Sequence, residues 1–179
     1  MVQLAALMWM MAFFFGFIGL LRGWNKEIIS TAGIVLGLFA LFQFDTLLRG
    51  VLLANVPRDQ VFFVQAIFFV VIVYFAYQQR ALMAGERRRD AGRDDLQNKI
   101  LGAILGFVNG YLIWGSLWYF LDINEYPLDP LIIAPSPGSF SDQARTLLPL
   151  VLLGGGPAGN GDLLAVAVIV LFVFVLIVI

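Results

Sequence analysis

The chain has 179 residues, 61% hydrophobic and 13% charged, with a mean hydropathy of +0.91 and a net charge of −1. Soluble domains are nearer half apolar and a quarter charged, so this composition excludes an ordinary soluble fold, and the near-neutral charge excludes a global field that attracts nucleic acid. With no Cys and no His, disulfides, thiol nucleophiles, zinc fingers, imidazole bases and the usual haem ligand are excluded as well.

Leu4–Leu21 is a charge-free apolar run, long enough to cross a bilayer core of about 30 Å. No positive n-region precedes it and no clear cleavage site follows, so it is expected to stay as a spanning helix rather than be removed as a signal peptide. Gly16, Gly19 and Gly23 lie near its end. They either admit a neighbouring backbone or loosen the helix end. A charged knot follows, with Arg22, Lys26 and Glu27 around Trp24, and reads as the tight turn of a transmembrane hairpin. Arg22 and Lys26 are expected to be topology anchors that snorkel to the interface, in preference to Arg22 or Glu27 contacting a partner. Ile28–Phe44 is the second run, and Gly33 and Gly37 give it a GxxxG packing face.

Between Asp45 and Gln60, Leu47, Leu48, Val51 and Leu52 recur at helical spacing, which predicts a short helix in the interface plane. Pro57 then turns the chain into the third run, Val61–Gln79, with Tyr74 and Tyr77 as an interfacial belt at its far end. Arg80–Lys99 is the polar centre of the chain. Its bases Arg87, Arg88 and Arg89 are offset by interleaved acids, which predicts a solvated segment that anchors topology and touches anionic lipid headgroups. Interleaved acids and the lack of aromatics argue against nucleic acid as a partner. The fourth run, Ile100–Leu121, carries Gly102, Gly106 and Gly110 on one face, the strongest packing pattern in the chain. Asn109 lies near mid-span and is expected to form an interhelical hydrogen bond.

The connection from Asp122 to Asp162 holds six of the seven prolines. Ser141 or Asp142 is expected to cap a short helix through Leu148. Leu147–Leu153 contains Pro149 and is too short to span, so it lies on the membrane or against the bundle. Gly154–Gly161 reads as a flexible linker. Leu163–Ile179 is a last apolar run of roughly 25 Å, the short limit for a span, either lipid-facing or docked on something smooth.

The expected fold is an all-α integral membrane protein: a bundle of four to five transmembrane helices with short interfacial helices. Its parts are a four-helix core over 1–121 with a basic loop at 80–99, a Pro/Gly-rich connection over 122–162, and a C-terminal helix over 163–179. Eight Lys and Arg fall at one end of the spans and three at the other. This places the N-terminus outside and loop 80–99 in the cytoplasm. No charged residue falls inside the five runs, which disfavours a pump or coupled transporter. The scattered acids disfavour a hydrolase, and no phosphate-cradling motif is present. No catalytic residue, cofactor or metal is expected.

Gly19-Leu-Leu-Arg22-Gly23-Trp-Asn-Lys-Glu27-Ile-Ile-Ser30 resembles the first hairpin of the colicin V production protein (CvpA) family, with its Arg-Gly step, acid and Ser. Leu101-Gly102-Ala-Ile-Leu-Gly106-Phe-Val-Asn109-Gly110 is similar to the family's fourth span, and Ser141–Pro149 to its tail, so the likeness covers roughly residues 1–150. Two departures stand out: family members often carry a base where Asn109 stands, and the four-span plan has no equivalent of 163–179. The resemblance implies a protein of the bacterial cytoplasmic (inner) membrane with a non-enzymatic role in envelope maintenance or export through partners. The alternative is an accessory structural subunit of a large respiratory or photosynthetic membrane complex. A channel subunit fits less well, because no polar stripe lines a span. Expected partners are membrane lipids and other membrane subunits or a second copy of the chain.

Overall fold

The computed structural model describes residues 3–47, 50, 55–78 and 93–178. Among these there is no strand. Four long helices form the body: α1 (Leu4–Arg22), α2 (Trp24–Leu47), α3 (Arg58–Tyr77) and α4 (Arg93–Ile123). Each is long and apolar enough to cross a membrane. Three shorter helices follow, α5 (Phe140–Ala144), α6 (Pro149–Gly154) and α7 (Asp162–Val178). The fold is therefore all-α and of membrane type. Large apolar side chains such as Phe13, Phe17, Ile67, Phe68 and Phe75 stand exposed around its outside, as a lipid-facing surface requires.

α1 and α2 are antiparallel and joined by Gly23 alone. Its φ of 82° is open to glycine and strained for other residues. The Gly23 N–H donates to Gly19 O at 2.8 Å, closing α1. The first N–H of α2, on Trp24, donates to the Asn98 side chain of α4 at 3.0 Å, so one polar side chain both braces the turn and satisfies a free helix donor. This one-residue turn starts α2 earlier than Ile28, where the charge pattern placed it. Glu27 consequently falls in the first turn of a spanning helix.

α4 runs antiparallel to α1 and makes the most extensive pairing in the molecule. A Cβ on Gly19 would collide with Gly102 O, and one on Gly106 with Phe15 O. The two backbones therefore approach as closely as small residues permit. α2 packs on both α4 and α3. The core they enclose centres on Met8, Ile34, Leu38, Phe69 and Leu112, with Phe69 edge-on to Phe120 at 5.8 Å.

The connection after α4 folds back onto the bundle. Ser139, not Ser141 or Asp142, caps α5, accepting from Asp142 N at 3.2 Å. Ser141 instead accepts from Ala5 N of α1 at 3.3 Å, supplying one of that helix's unpaired donors. α6 lies against α4, with Pro149 seated on Gly115. Residues 154–161 are a folded turn rather than a flexible linker: Gly161 N donates to Gly154 O at 3.1 Å and Gly159 N to Gly156 O at 3.2 Å. Positive φ at Gly155, Gly156 and Gly161 makes that turn accessible to glycine. α7 then docks on α2, its Phe174 edge-on to Trp24 at 5.7 Å. The expected interfacial helix at Leu48, Val51 and Leu52 lies outside the described residues, as do Arg87, Arg88 and Arg89. Of the 80–99 segment, residues 93–99 extend α4 as helix.

Candidate functional site

The hairpin turn sets Arg22 at the C-terminus of α1 and Glu27 at the N-terminus of α2. Each charge sits where its own helix dipole favours it. Arg22 Nη1 donates to Glu27 Oε1 at 2.7 Å. The carboxylate is 1% exposed and the guanidinium 23%. A charge this deep persists only with full hydrogen-bond compensation, and the neighbouring helices provide it. From α4, Asn109 Nδ2 donates to Glu27 Oε2 at 2.8 Å. From α3, the Tyr77 hydroxyl donates to the same oxygen at 3.3 Å. The four long helices thus meet on one carboxylate.

A second tier surrounds the pair. Arg22 Nη2 donates to Tyr77 O at 3.2 Å, and its guanidinium carbon lies 4.3 Å from the Tyr77 ring centroid, a cation–π distance. The Thr31 hydroxyl is 2.7 Å from Asn109 Oδ1 and 2.8 Å from Glu27 O. Since the Asn109 Nδ2 group donates to Glu27, its oxygen is left to accept from Thr31. The Ser30 hydroxyl reaches Ala76 O of α3 at 3.1 Å and Lys26 O at 3.1 Å. This is a closed polar network within an apolar bundle, where such bonds orient helices that hydrophobicity alone does not orient.

The sequence-derived positions divide between this site and two packing seams. Gly102, Gly106 and Gly110 line the α1–α4 seam: a Cβ on Gly110 would come within 2.7 Å of Phe15 Cβ. Gly33 and Gly37 line the α2–α3 seam, against Ala76 and Ile72. Asn109 enters the polar site. Arg22, expected to be a topology anchor that snorkels to the interface, turns inward onto Glu27 and the Tyr77 ring. Lys26 is exposed at the same end of the bundle. Glu27, Ser30, Thr31 and Tyr77 were not singled out from sequence as site residues. Their signal was present: Glu27, Ser30 and Thr31 share one helix face at i, i+3 and i+4, once the helix is known to begin directly after Gly23.

A separate network ties the connection to the opposite end of α4. Trp118 Nε1 donates to the Tyr126 hydroxyl at 3.0 Å, and that hydroxyl donates to Asp122 Oδ1 at 3.0 Å. Arg145 bridges Asp122 at 2.9 Å and Asp142 at 3.4 Å. Burial, aided by the Asp122 charge, pushes the Tyr126 hydroxyl up to about 12. Burial lowers the proton affinity of Arg145, but the bond to Asp122 outweighs it and the net shift is upward.

Among the described residues no group of three or more His, Cys, Asp or Glu could hold a metal. A family model described as colicin V production protein matches residues 4–134. The match takes in all four long helices, including the Arg22–Glu27 hairpin and Asn109, and ends before the Ser141–Pro149 segment and α7. No curated protein and no solved structure matches the chain.

Proposed function

Because this chain belongs to the colicin V production protein family, we propose that it acts in the bacterial inner membrane, in envelope maintenance or export, without catalysis and through partner proteins. The observation that carries this reading is the saturation of the one deeply buried carboxylate among the described residues. Glu27 receives Arg22, Asn109 and Tyr77 together, which suits a clasp that fixes helix arrangement more than an acid or nucleophile poised for substrate. Topology in this reading follows the Lys and Arg asymmetry, with the Arg22 end cytoplasmic and α5 and α6 on the outer side.

The test is native isolation in a mild detergent, with mass spectrometry of whatever accompanies the chain. It is paired with a deletion strain scored for uptake of an impermeant dye. Co-isolation with envelope or export proteins, together with a leaky envelope restored by the wild-type gene, is the expected result. A stoichiometric set of redox or light-harvesting subunits would transfer the chain to an accessory role in such a complex. A deletion strain with an intact barrier and unimpaired export would remove the proposal.

A further inference from the structure

The segment from Phe140 to Gly154 lies beyond the residues that the family model matches, and its contacts fix its depth against the spanning helices. α1 has 19 residues, about 28 Å of helix against a hydrocarbon core of about 30 Å. With Arg22 at one boundary of the core, the first turn of α1 lies at the other. Ser141 accepts from Ala5 N in that turn, so α5 begins at this boundary. Leu147 O accepts from the Tyr111 hydroxyl, and the Tyr111 ring stacks on Trp9 at 5.7 Å. Trp9 lies a helical turn beyond Ala5, about 6 Å nearer the midplane. Pro149 sits on Gly115, beside Met8. Gly154 then abuts the Phe42 ring of α2. α2 starts at Trp24, and Phe42 is about 27 Å along it, back at the boundary where α5 began.

The segment thus enters, turns and leaves on one side. Ala144, Leu148, Pro149 and Leu150 are buried against the bundle, whereas Phe140, Leu147 and Leu152 are 59%, 46% and 49% exposed. Its polar groups turn to the protein. The Thr146 hydroxyl donates to Gln143 O at 2.9 Å, and Tyr111 satisfies the carbonyl at the deepest point. Arg145 extends back towards the end of α4 and pairs with Asp122 at 2.9 Å. Internal partners of this kind are what a water-free surrounding demands, and an Arg reaching for the boundary keeps its charge out of the hydrocarbon.

We propose that Phe140–Gly154 is a re-entrant segment and that acyl chains of the leaflet at that end cover its exposed side, formed by Phe140, Leu147 and Leu152. Leu147 stands at the depth at which α1 presents Met10 outward. A side chain held at hydrocarbon depth and open to the outside of the bundle meets lipid. This inference rests on the four spanning helices and not on the envelope role, so either can fail alone.

The chain has no native cysteine, so Phe140→Cys, Leu147→Cys and Leu152→Cys each place one nitroxide on the full chain in liposomes. Power-saturation EPR compares collisions with O2, which concentrates in hydrocarbon, and with a water-soluble nickel chelate. Phe68→Cys, on the exposed face of α3, is the lipid reference. At Leu147→Cys, O2 should be favoured over nickel about threefold, because apolar solutes partition out of water, and the other two sites should also favour O2. Nickel favoured at Leu147→Cys would place the segment in water and overturn the proposal. Weak collisions with both reagents there would mean that protein covers it, a second copy or a partner, and would overturn it equally. Should the labelled variants not fold, the unaltered chain decides. Photolysis with a phosphatidylcholine carrying a diazirine on its acyl chain should leave adducts between Phe140 and Leu152, mapped by mass spectrometry. Adducts on α1 and α3 with none in that stretch would overturn the proposal.

Discussion

Glu27 and Arg22 do not contribute equally, because they are not equally deep. Removing Glu27 leaves a guanidinium that still reaches solvent, whereas removing Arg22 strands a carboxylate that is 1% exposed. Arg22→Ala should therefore be the costlier single change, at about 3 kcal/mol or more. The double substitution should cost less than the sum of the singles, with a coupling of about 1–3 kcal/mol. Unfolding of the wild type and the three variants in micelles measures this cycle, and additive costs would show that the pair is uncoupled. Tyr126 carries a pH consequence. Its hydroxyl is raised from 10.0 to about 12 in the folded chain, so the neutral form favours folding. That contribution is whole below pH 10 and is lost as the pH rises towards 12. Tyr126→Phe should be less stable at neutral pH and should lose less stability over the alkaline interval, a difference that thermal unfolding across that range records.

The two glycine seams differ in what they press against, and that difference orders their mutants. A Cβ on Gly106 meets the backbone of α1 at Phe15 O and Gly19 Cα, which cannot yield without moving a helix. A Cβ on Gly37 meets side-chain atoms of Ile72, the nearest at 2.6 Å, so no backbone is forced against another there. Gly106→Ala should therefore destabilise the bundle by about 2–3 kcal/mol and Gly37→Ala by about 1 kcal/mol or less. Thermal unfolding in detergent ranks them, and the reverse order would mean that the α1–α4 seam is not the tighter one. The helices themselves were legible in sequence, since unbroken apolar runs and glycine spacing are local patterns. The site was only partly legible. Asn109 stood out as a polar residue in an apolar run, but Glu27 was hidden one residue outside the second run. Its burial depends on the Gly23 turn, on Tyr77 fifty positions away and on Asn109 beyond that. The Gly154–Gly161 stretch misled for the opposite reason: glycine content suggests freedom, yet here it permits positive φ angles in a folded turn.

At the scale of the whole molecule, the described ends of the bundle differ in chemistry. One gathers Arg22, Lys26 and the start of α4. The other gathers α5, α6, the glycine turn and the Asp45–Gln65–Asn124 hydrogen bonds. With no native cysteine, single introduced cysteines report sidedness directly. A cysteine at Gln97 should resist an impermeant maleimide in intact cells until the inner membrane is permeabilised. One at Ser136 should react once the reagent has passed the outer envelope. The reverse pattern would invert the orientation that the charge asymmetry predicts. Orientation in a bilayer is a sequence-level quantity here, whereas the docking of α7 on α2 was not readable. A uniformly apolar helix carries no pattern that says which neighbour it meets.

The single-residue turn at Gly23 also bears on the order in which the molecule is assembled. Arg22 and Glu27 are five residues apart, so the charge pair needs nothing beyond the first two helices. In a nascent chain emerging N-terminus first, both partners of this pair are present before α3 has been translated. Tyr77 and Asn109 lie later in the chain and bond the remaining oxygen. The first hairpin can thus hold one oxygen of its carboxylate by itself, and the other is completed by Tyr77 and Asn109 of the later helices.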